Sequence, residues 1–261
     1  MATFRELHYS DAPLVLPNAW DAGSALAFAT AGFRAVGTSS FGVAASSGQP
    51  DGGRSTKAAT SALAVQMCRL PVHVTTDIED GYSDEPAAVA DFVAELVAMG
   101  VAGVNLEDSK DGHLVDPVAF AAKVAAVKRL SPDVFVNARV DNIWFAEDAT
   151  VDAVLQRANA YADAGADGIF VPGLANPDDI RSITAGTMLP VNVLAHPSLT
   201  VAALGELGIR RVSSGSLPYR AAVDAAVNIA NALRDGTPVP AATPYGEMQA
   251  RLTKFSQGTS V

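Results

Sequence analysis

One joint recurs along this chain: a helix-like segment, a glycine, then a short apolar run. It appears as AGFRAVG around Gly32, MGVAGV around Gly100, AGADGIF around Gly165 and LGIRRVS around Gly208. Glycine suits the left-handed position that ends a helix, and a strand of a buried parallel sheet reads as a near-continuous apolar run. Four copies of one supersecondary joint point to a repeated βα unit. Filling the gaps gives eight predicted strands at residues 14–18, 35–39, 72–77, 103–107, 134–139, 168–172, 191–195 and 211–214, each followed by a helix pattern. Asp84 is placed to cap a helix whose Val89, Phe92, Val93, Leu96 and Val97 fall at helical spacing. Asp116 with Pro117, Thr150, and Ser216 with Pro218 open three more, the last running to a stop at Gly236. Eight alternations with short joints predict an α/β fold, a single (β/α)8 TIM barrel with a C-terminal helical tail. No G-x-G-x-x-G follows any strand, which weighs against a dinucleotide-binding sheet.

Length agrees: the chain has 261 residues, and α/β barrels run to about 250 residues as one domain. The barrel is expected over residues 1–236, with residues 1–12 as a leading segment. Residues 237–261 form a proline-rich tail, TPVPAATP, followed by a short amphipathic helix. A net charge of −10 and a pI near 4.7 argue against nucleic acid or an anionic membrane as partner. The first residues, MATFRELHYSD, carry no apolar signal core, and no apolar run reaches the ~18 residues of a membrane span. The one cysteine, Cys68, permits neither an internal disulfide nor a cysteine metal cluster and reads as packing. The expectation is a soluble cytoplasmic protein.

Barrel enzymes work at the C-terminal ends of their strands. Those ends here supply Asn18, Trp20 and Asp21; Ser39 and Ser40; Asp77 and Glu79; Asn105 and Glu107; Asn137 and Arg139; Pro172; Asn192 and His196; Ser213 and Ser214. The spacings Asn105/Glu107 and Asn137/Arg139 put each pair on one strand face. VHVTTDIEDGY and VAGVNLED end abruptly in acids, and a carboxylate at the end of a buried strand is costly unless a proton, a cation or a metal relieves it. Arg139 neutralises these acids or binds substrate. Asp80, Asp84 and Asp108 read as helix caps or surface residues, His8 as surface, and His73 as a satisfied core or outer-face histidine rather than a ligand. His113 and His196 fall in loops on the acidic side, and Ser213 to Ser216 offer a weak anion-binding turn. An all-oxygen ligand set favours Mg2+, or Mn2+, over Zn2+. A metal, an arginine and serine donors match a small 2-oxo acid dianion, whose ketone a metal polarises.

These stretches resemble the isocitrate lyase/phosphoenolpyruvate mutase superfamily, from LPNAWDAGSALAFATAGFRAVGTSSFG through TTDIEDGY, GVNLED and residues 137–139 to AGADGIFVPG. The resemblance implies a Mg2+-binding barrel acting on 2-oxo or 2-hydroxy acids, or phosphonate analogues, through an enolate-like intermediate. It places Ser39 and the backbone of Ser40 and Phe41 at the substrate carboxylate and Asp51 in a loop near the metal. Asp77, Glu79 and Glu107 resemble the metal shell, with Asp77 direct, and Arg139 the grip on the substrate's other anionic end. Asn192 and His196 are further candidate substrate contacts. It also implies a homo-oligomer, a tetramer that exchanges its last barrel helix.

The departures fall in the loops. The family's lyases carry a catalytic cysteine after the GVNLED-like strand, where this chain reads EDSKDGHLVDP, leaving Lys110 and His113 as candidate proton donors. Gly37 stands where the mutase type has an aromatic residue, and Pro172 where it has a phosphonate-binding histidine. The expected function is a Mg2+-dependent lyase or hydrolase of a small 2-oxo or 2-hydroxy acid, with C–C cleavage favoured. The alternatives are a phosphonate mutase or hydrolase and a catalytically silent 2-oxo-acid binding protein. Isocitrate and methylisocitrate cleavage is expected to be weak, for want of the cysteine.

Overall fold

The computed structural model describes residues 2–258. Met1 and residues 259–261, the extremes of the expected leading segment and tail, lie outside them. The first half of the chain runs α1 (Phe4–Leu7), β1 (Leu14–Leu16), β2 (Asn18–Ala19), α2 (Ala22–Thr30), β3 (Ala35–Thr38), α3 (Ser40–Ser46), α4 (Lys57–Met67), β4 (His73–Asp77), α5 (Pro86–Met99) and β5 (Gly103–Glu107). A hairpin, β6 (Ser109–Lys110) and β7 (His113–Leu114), leads to α6 (Pro117–Leu130), β8 (Phe135–Arg139), α7 (Asn142–Phe145) and α8 (Val151–Asp163). Then come β9 (Gly168–Phe170), α9 (Pro177–Gly186), β10 (Val191–Leu194), α10 (Val201–Glu206), β11 (Ile209–Ser213), α11 (Leu217–Asp235) and α12 (Tyr245–Ser256).

The main sheet runs β1-β11-β10-β9-β8-β5-β4-β3-β2 with every pair parallel. Its two end strands are halves of one stretch, residues 14–19, parted at Pro17. The sheet therefore returns to its own start as a nearly closed barrel. The first predicted strand is thus split: Pro17 has no N–H for a ladder, while its carbonyl accepts from Gly37 N at 2.9 Å. The four joint glycines all take the left-handed φ that the recurrence predicts, from 89° at Gly32 to 107° at Gly100. Three elements are absent from the predicted series: α3, the β6–β7 hairpin and α7. Each is too short for a hydrophobic period to announce it.

Two apolar clusters hold the barrel. The larger fills the layer between sheet and helices, where buried residues such as Leu96, Phe120 and Ile180 each contribute roughly 1.5–3 kcal/mol. The smaller closes the floor and joins Phe4 and Leu7 of α1 to Leu14, Leu16, Ala35 and Phe135. Gly103 is required there, since a Cβ would lie 2.7 Å from Phe4 Cε1 and 2.9 Å from the Phe135 carbonyl oxygen. His8 is not a surface residue: it is 2% exposed, stacks on Phe135 at 4.1 Å and hydrogen-bonds the Phe4 carbonyl through Nδ1 at 2.9 Å. Burial lowers its pKa to about 3, keeping it neutral. Arg5 pins α1 by an ion pair to Asp167. At the other end of the chain, α12 returns to α4 where Arg69 donates to the Phe255 carbonyl at 2.6 Å. No helix of the described residues is long and apolar enough to cross a membrane.

Candidate active site

The C-terminal mouth of the barrel opens into a cavity of about 600 Å3 whose lining includes Ser40, Asp51, Glu79, Glu107, Lys110 and Arg139. The strand register builds its base. Asn105 pairs with Asn137 and Glu107 with Arg139 across β5 and β8. The inward side chains of those pairs meet, Asn137 Nδ2 donating to Asn105 Oδ1 at 2.9 Å and Arg139 Nη1 standing 2.8 Å from Glu107 Oε2. Arg139 Nε is held by the buried Asp141 at 2.6 Å, and the guanidinium lies 5.8 Å from the rings of both Trp144 and Phe170. Neither an exchange of strand face nor a free rotamer is left to this arginine.

Asp77 ends β4 and is partly exposed, next to but not among the residues that line the cavity. Its backbone N–H donates to Thr38 Oγ1 at 2.8 Å and its Oδ1 accepts from Glu79 N at 3.2 Å. Ser40 Oγ reaches its Oδ2 only at 3.5 Å. Burial pushes this carboxyl up to about 6, against the opposing charge of Arg139 and with help from Asp51 and Glu79. Glu107 is likewise raised well above the usual carboxylate range, first by burial and then by Asp141, Asp77 and Asp51, despite Arg139. The mouth therefore holds more negative than positive charge, with Asp51, Glu79, Asp80, Glu107 and Asp111 in its lining against Arg54, Lys110 and Arg139. Beneath it, Arg211 is fully enclosed, donating to Ser213 Oγ at 3.0 Å and Asn105 Oδ1 at 3.3 Å. Burial lowers it to about 9, and the charge of Asp77 opposes that shift.

Among the described residues no three His, Cys, Asp or Glu side chains converge into a ready metal cage. The residues nonetheless fit a hard cation. Mg2+ keeps several waters and takes one or two protein carboxylates, and Asp77 and Glu107 are half-buried carboxylates whose pKa values desolvation raises in spite of Arg139, a cost that a cation would relieve. Glu79 is more committed than the sequence implies. It sits at φ 50° with Oε2 accepting from Arg54 N at 2.8 Å and Oε1 taken by Thr56 Oγ1, so it anchors the loop after α3.

The sequence pattern of the family described as phosphoenolpyruvate phosphomutase matches residues 4–234. The chain belongs to the phosphoenolpyruvate mutase family. An uncharacterised protein of Mycobacterium tuberculosis is 51% identical over 258 residues, 99% of both chains. A 2-methylisocitrate lyase of Halalkalibacterium halodurans is 31% identical over 89% of this chain and 81% of its own. The crystal structure of 2,3-dimethylmalate lyase, a member of the wider phosphoenolpyruvate mutase/isocitrate lyase superfamily, superposes with a TM-score of 0.85 at 26% identity, covering 98% and 95% of the two chains.

Several residues that the family resemblance or the loop positions nominated stand elsewhere. His113 is turned out of the cavity lining, with its side chain 78% exposed and Nδ1 2.6 Å from Glu147. His196 serves its own turn: Nδ1 accepts from Leu199 N at 2.9 Å and Nε2 meets the Ala175 carbonyl at 3.0 Å. Asn192 lies inside the barrel, its Oδ1 accepting from Ser213 at 3.1 Å. Ser39 caps α3 by accepting from Gly42 N at 3.2 Å, and the Phe41 ring packs on Tyr219. Of that stretch only Ser40 lines the cavity. Lys110 does line it, with Nζ 2.9 Å from Asp84.

Of the three acids read as caps or surface, Asp80 and Asp108 are buried, while Asp84 is a surface residue that caps no helix and joins Arg54 and Lys110, one from each loop over the cavity. Asp80 is buried between Arg54 and Lys123. Asp108 is 0% exposed and accepts from Tyr161 Oη at 2.6 Å, Arg157 Nη1 at 2.9 Å and Asp141 N at 2.9 Å. Sequence reasoning also passed over Asp141, Arg54, Trp144 and Arg211. Asp141 was the most accessible of these, standing two residues beyond Arg139 as Glu79 stands beyond Asp77.

Proposed function

We propose that this family member is a Mg2+-dependent lyase or hydrolase of a small 2-oxo or 2-hydroxy acid, with cleavage of a C–C bond favoured over phosphonate chemistry. The observation that carries it is the acid cluster at the mouth, Glu107 in the cavity lining and Asp77 at the end of the neighbouring strand, around an arginine fixed by Glu107 and Asp141. Asp77 would hold the cation, with Glu79 and Glu107 behind its waters, and the cation would polarise the 2-oxo group and stabilise negative charge on its oxygen. Ser40 and the start of α3 receive the carboxylate beside that group. Arg139, locked by Glu107 and Asp141, offers its remaining N–H groups to the second anionic end. The hairpin Ser109–Leu114 contributes Ser109, Lys110, Asp111 and Gly112 to the cavity lining. Lys110 is the amine in the lining and the proton donor this cavity offers, since His113 faces away. At strand β9 the family's phosphonate-binding position is Pro172, which has no donor, and this favours a carboxylic substrate.

The same reading makes the protein a homo-oligomer that exchanges its last barrel helix. Helix α11 has no buried residue and presents Val223, Val227 and Leu233 outward.

Arg139→Leu tests the substrate class. A charge-assisted hydrogen bond is worth roughly 1.5–3 kcal/mol, so oxaloacetate binding in the presence of Mg2+ should weaken about 10- to 100-fold. Pyruvate, with one carboxylate, should lose less. Equal losses for both acids would assign Arg139 to the shared carboxylate or to structure alone.

A further inference from the structure

Between floor and mouth, the buried inward positions of the barrel include Thr75, Asn105, Asn137, Asn192 and Arg211. Barrels of this kind ordinarily fill such a layer with branched apolar side chains. Here it is polar, and it holds a cation. Arg211, opposite Asn192 in the strand register, is 0% exposed. It donates through Nε to Ser213 Oγ at 3.0 Å and through Nη2 to Asn105 Oδ1 at 3.3 Å, two neutral groups. Its Nη1 has no hydrogen-bond partner among the described residues.

Stability does not explain this arginine. A buried charge whose partners are all neutral is costly, and an apolar side chain of similar volume often serves as well or better. The floor gives its cations a carboxylate, since Arg5 and Lys128 both meet Asp167. The place of Arg211 in the register supplies the missing reason. Asn105, which accepts from it, stands opposite Asp77 on the neighbouring strand and two residues before Glu107. The guanidinium therefore lies one side chain behind the acids of the mouth, in an enclosed interior where charge is poorly screened. Burial lowers its pKa only to about 9, with the charge of Asp77 opposing, so it is a cation at neutral pH.

We infer that Arg211 is a positioning residue of the mouth, a fixed positive charge that weakens the acids' hold on a bare divalent cation and strengthens the site's hold on a dianion. The mouth is thereby set to take the metal together with its acid ligand rather than the metal alone. This rests on the proposed function and adds to it a residue sealed from the cavity lining.

Arg211→Met removes the charge and keeps most of the volume, while Arg211→Lys keeps the charge and loses the fork of donors. Two titrations read the result. Mn2+ alone is followed by the loss of its free-ion paramagnetic resonance signal, and oxalate at saturating Mg2+ is followed by calorimetry. Arg211→Met should bind Mn2+ about 10- to 100-fold tighter and oxalate roughly 3- to 30-fold more weakly. Arg211→Lys should stay within about 3-fold of wild type in both. A mere prop for the strands would not give opposite signs, because a disordered mouth loses both ligands. Losses of both in Arg211→Met, or no change in either, overturn the inference and leave the proposed function standing. Should Arg211→Met not fold, Arg211→Lys decides: wild-type affinities support the charge, and loss of both overturns it. Wild type that binds neither Mn2+ nor oxalate overturns the proposed function and this inference with it.

Discussion

The two ends of the barrel are built from the same strands and treat charge in opposite ways. At the floor, Asp167 accepts from Lys128 Nζ and from Val136 N, both at 2.9 Å, and pairs with Arg5. Phe4, His8 and Phe135 stack against it as an aromatic plug. One carboxylate there has two cations and an amide. At the mouth, Asp77 and Glu107 share Arg139, and each raises the pKa of its neighbour or is raised by it. Partners exceed charges at one end; charges exceed partners at the other. Local frustration of this kind marks the end that meets a ligand, while the satisfied end supplies stability.

Breaking the floor should therefore cost stability alone. Asp167→Ala strands Lys128 and the Val136 amide, and loss of one partner of a buried pair costs about 3 kcal/mol or more. Urea denaturation should show that loss, while Mg2+-dependent diacid affinity of the folded fraction stays unchanged. A parallel fall in affinity would mean that the floor and mouth are not separable.

Acid should sharpen the contrast, because the ends titrate with opposite sign. Asp77 is raised from 3.8 to about 6, so across that window the folded state keeps a proton that the unfolded chain has lost. Its contribution makes stability fall as pH rises, by about 3 kcal/mol in all without metal. His8 is lowered from 6.5 to about 3, so below neutrality the unfolded chain takes a proton that the folded state refuses. Its contribution makes stability rise with pH, by roughly 5 kcal/mol over the window. Relative to wild type, Asp77→Asn should steepen the rise of stability between about pH 4 and 6, and His8→Asn should flatten it. Unfolding free energies measured at half-unit pH steps would show this, and identical profiles for all three proteins would refute it.

What could be read in the sequence was whatever obeys a period. The glycine joints follow the βα repeat, and Asn105/Glu107 and Asn137/Arg139 follow the alternation of a strand, so the shared face of each pair was legible, and with it the chance that Arg139 neutralises nearby acids. Residues set by tertiary approach were not. His8 is buried only because a four-residue helix folds under the barrel, and Arg211 is an interior arginine on a strand whose pattern says nothing of its partners. Asp84 looked like a cap because it precedes Pro86. It instead meets Arg54, 30 residues earlier, and Lys110, 26 residues later. His113 looked like a donor because its loop lies at the mouth, and only the hairpin register shows which way it turns. Loop side chains answer to long-range geometry that no local pattern encodes.

The central claim, that the mouth's excess charge is the seat of a divalent cation, is tested most directly by thermal unfolding of wild type and Asp77→Asn at pH 8 as Mg2+ and oxalate are added. Without ligand the variant should melt higher, since it removes a buried charge that lacks a partner. Adding Mg2+ with oxalate should raise the wild-type Tm progressively by mass action and leave the variant unmoved. Equal melting temperatures without ligand and equal shifts with it would show that Asp77 neither strains the mouth nor holds the metal.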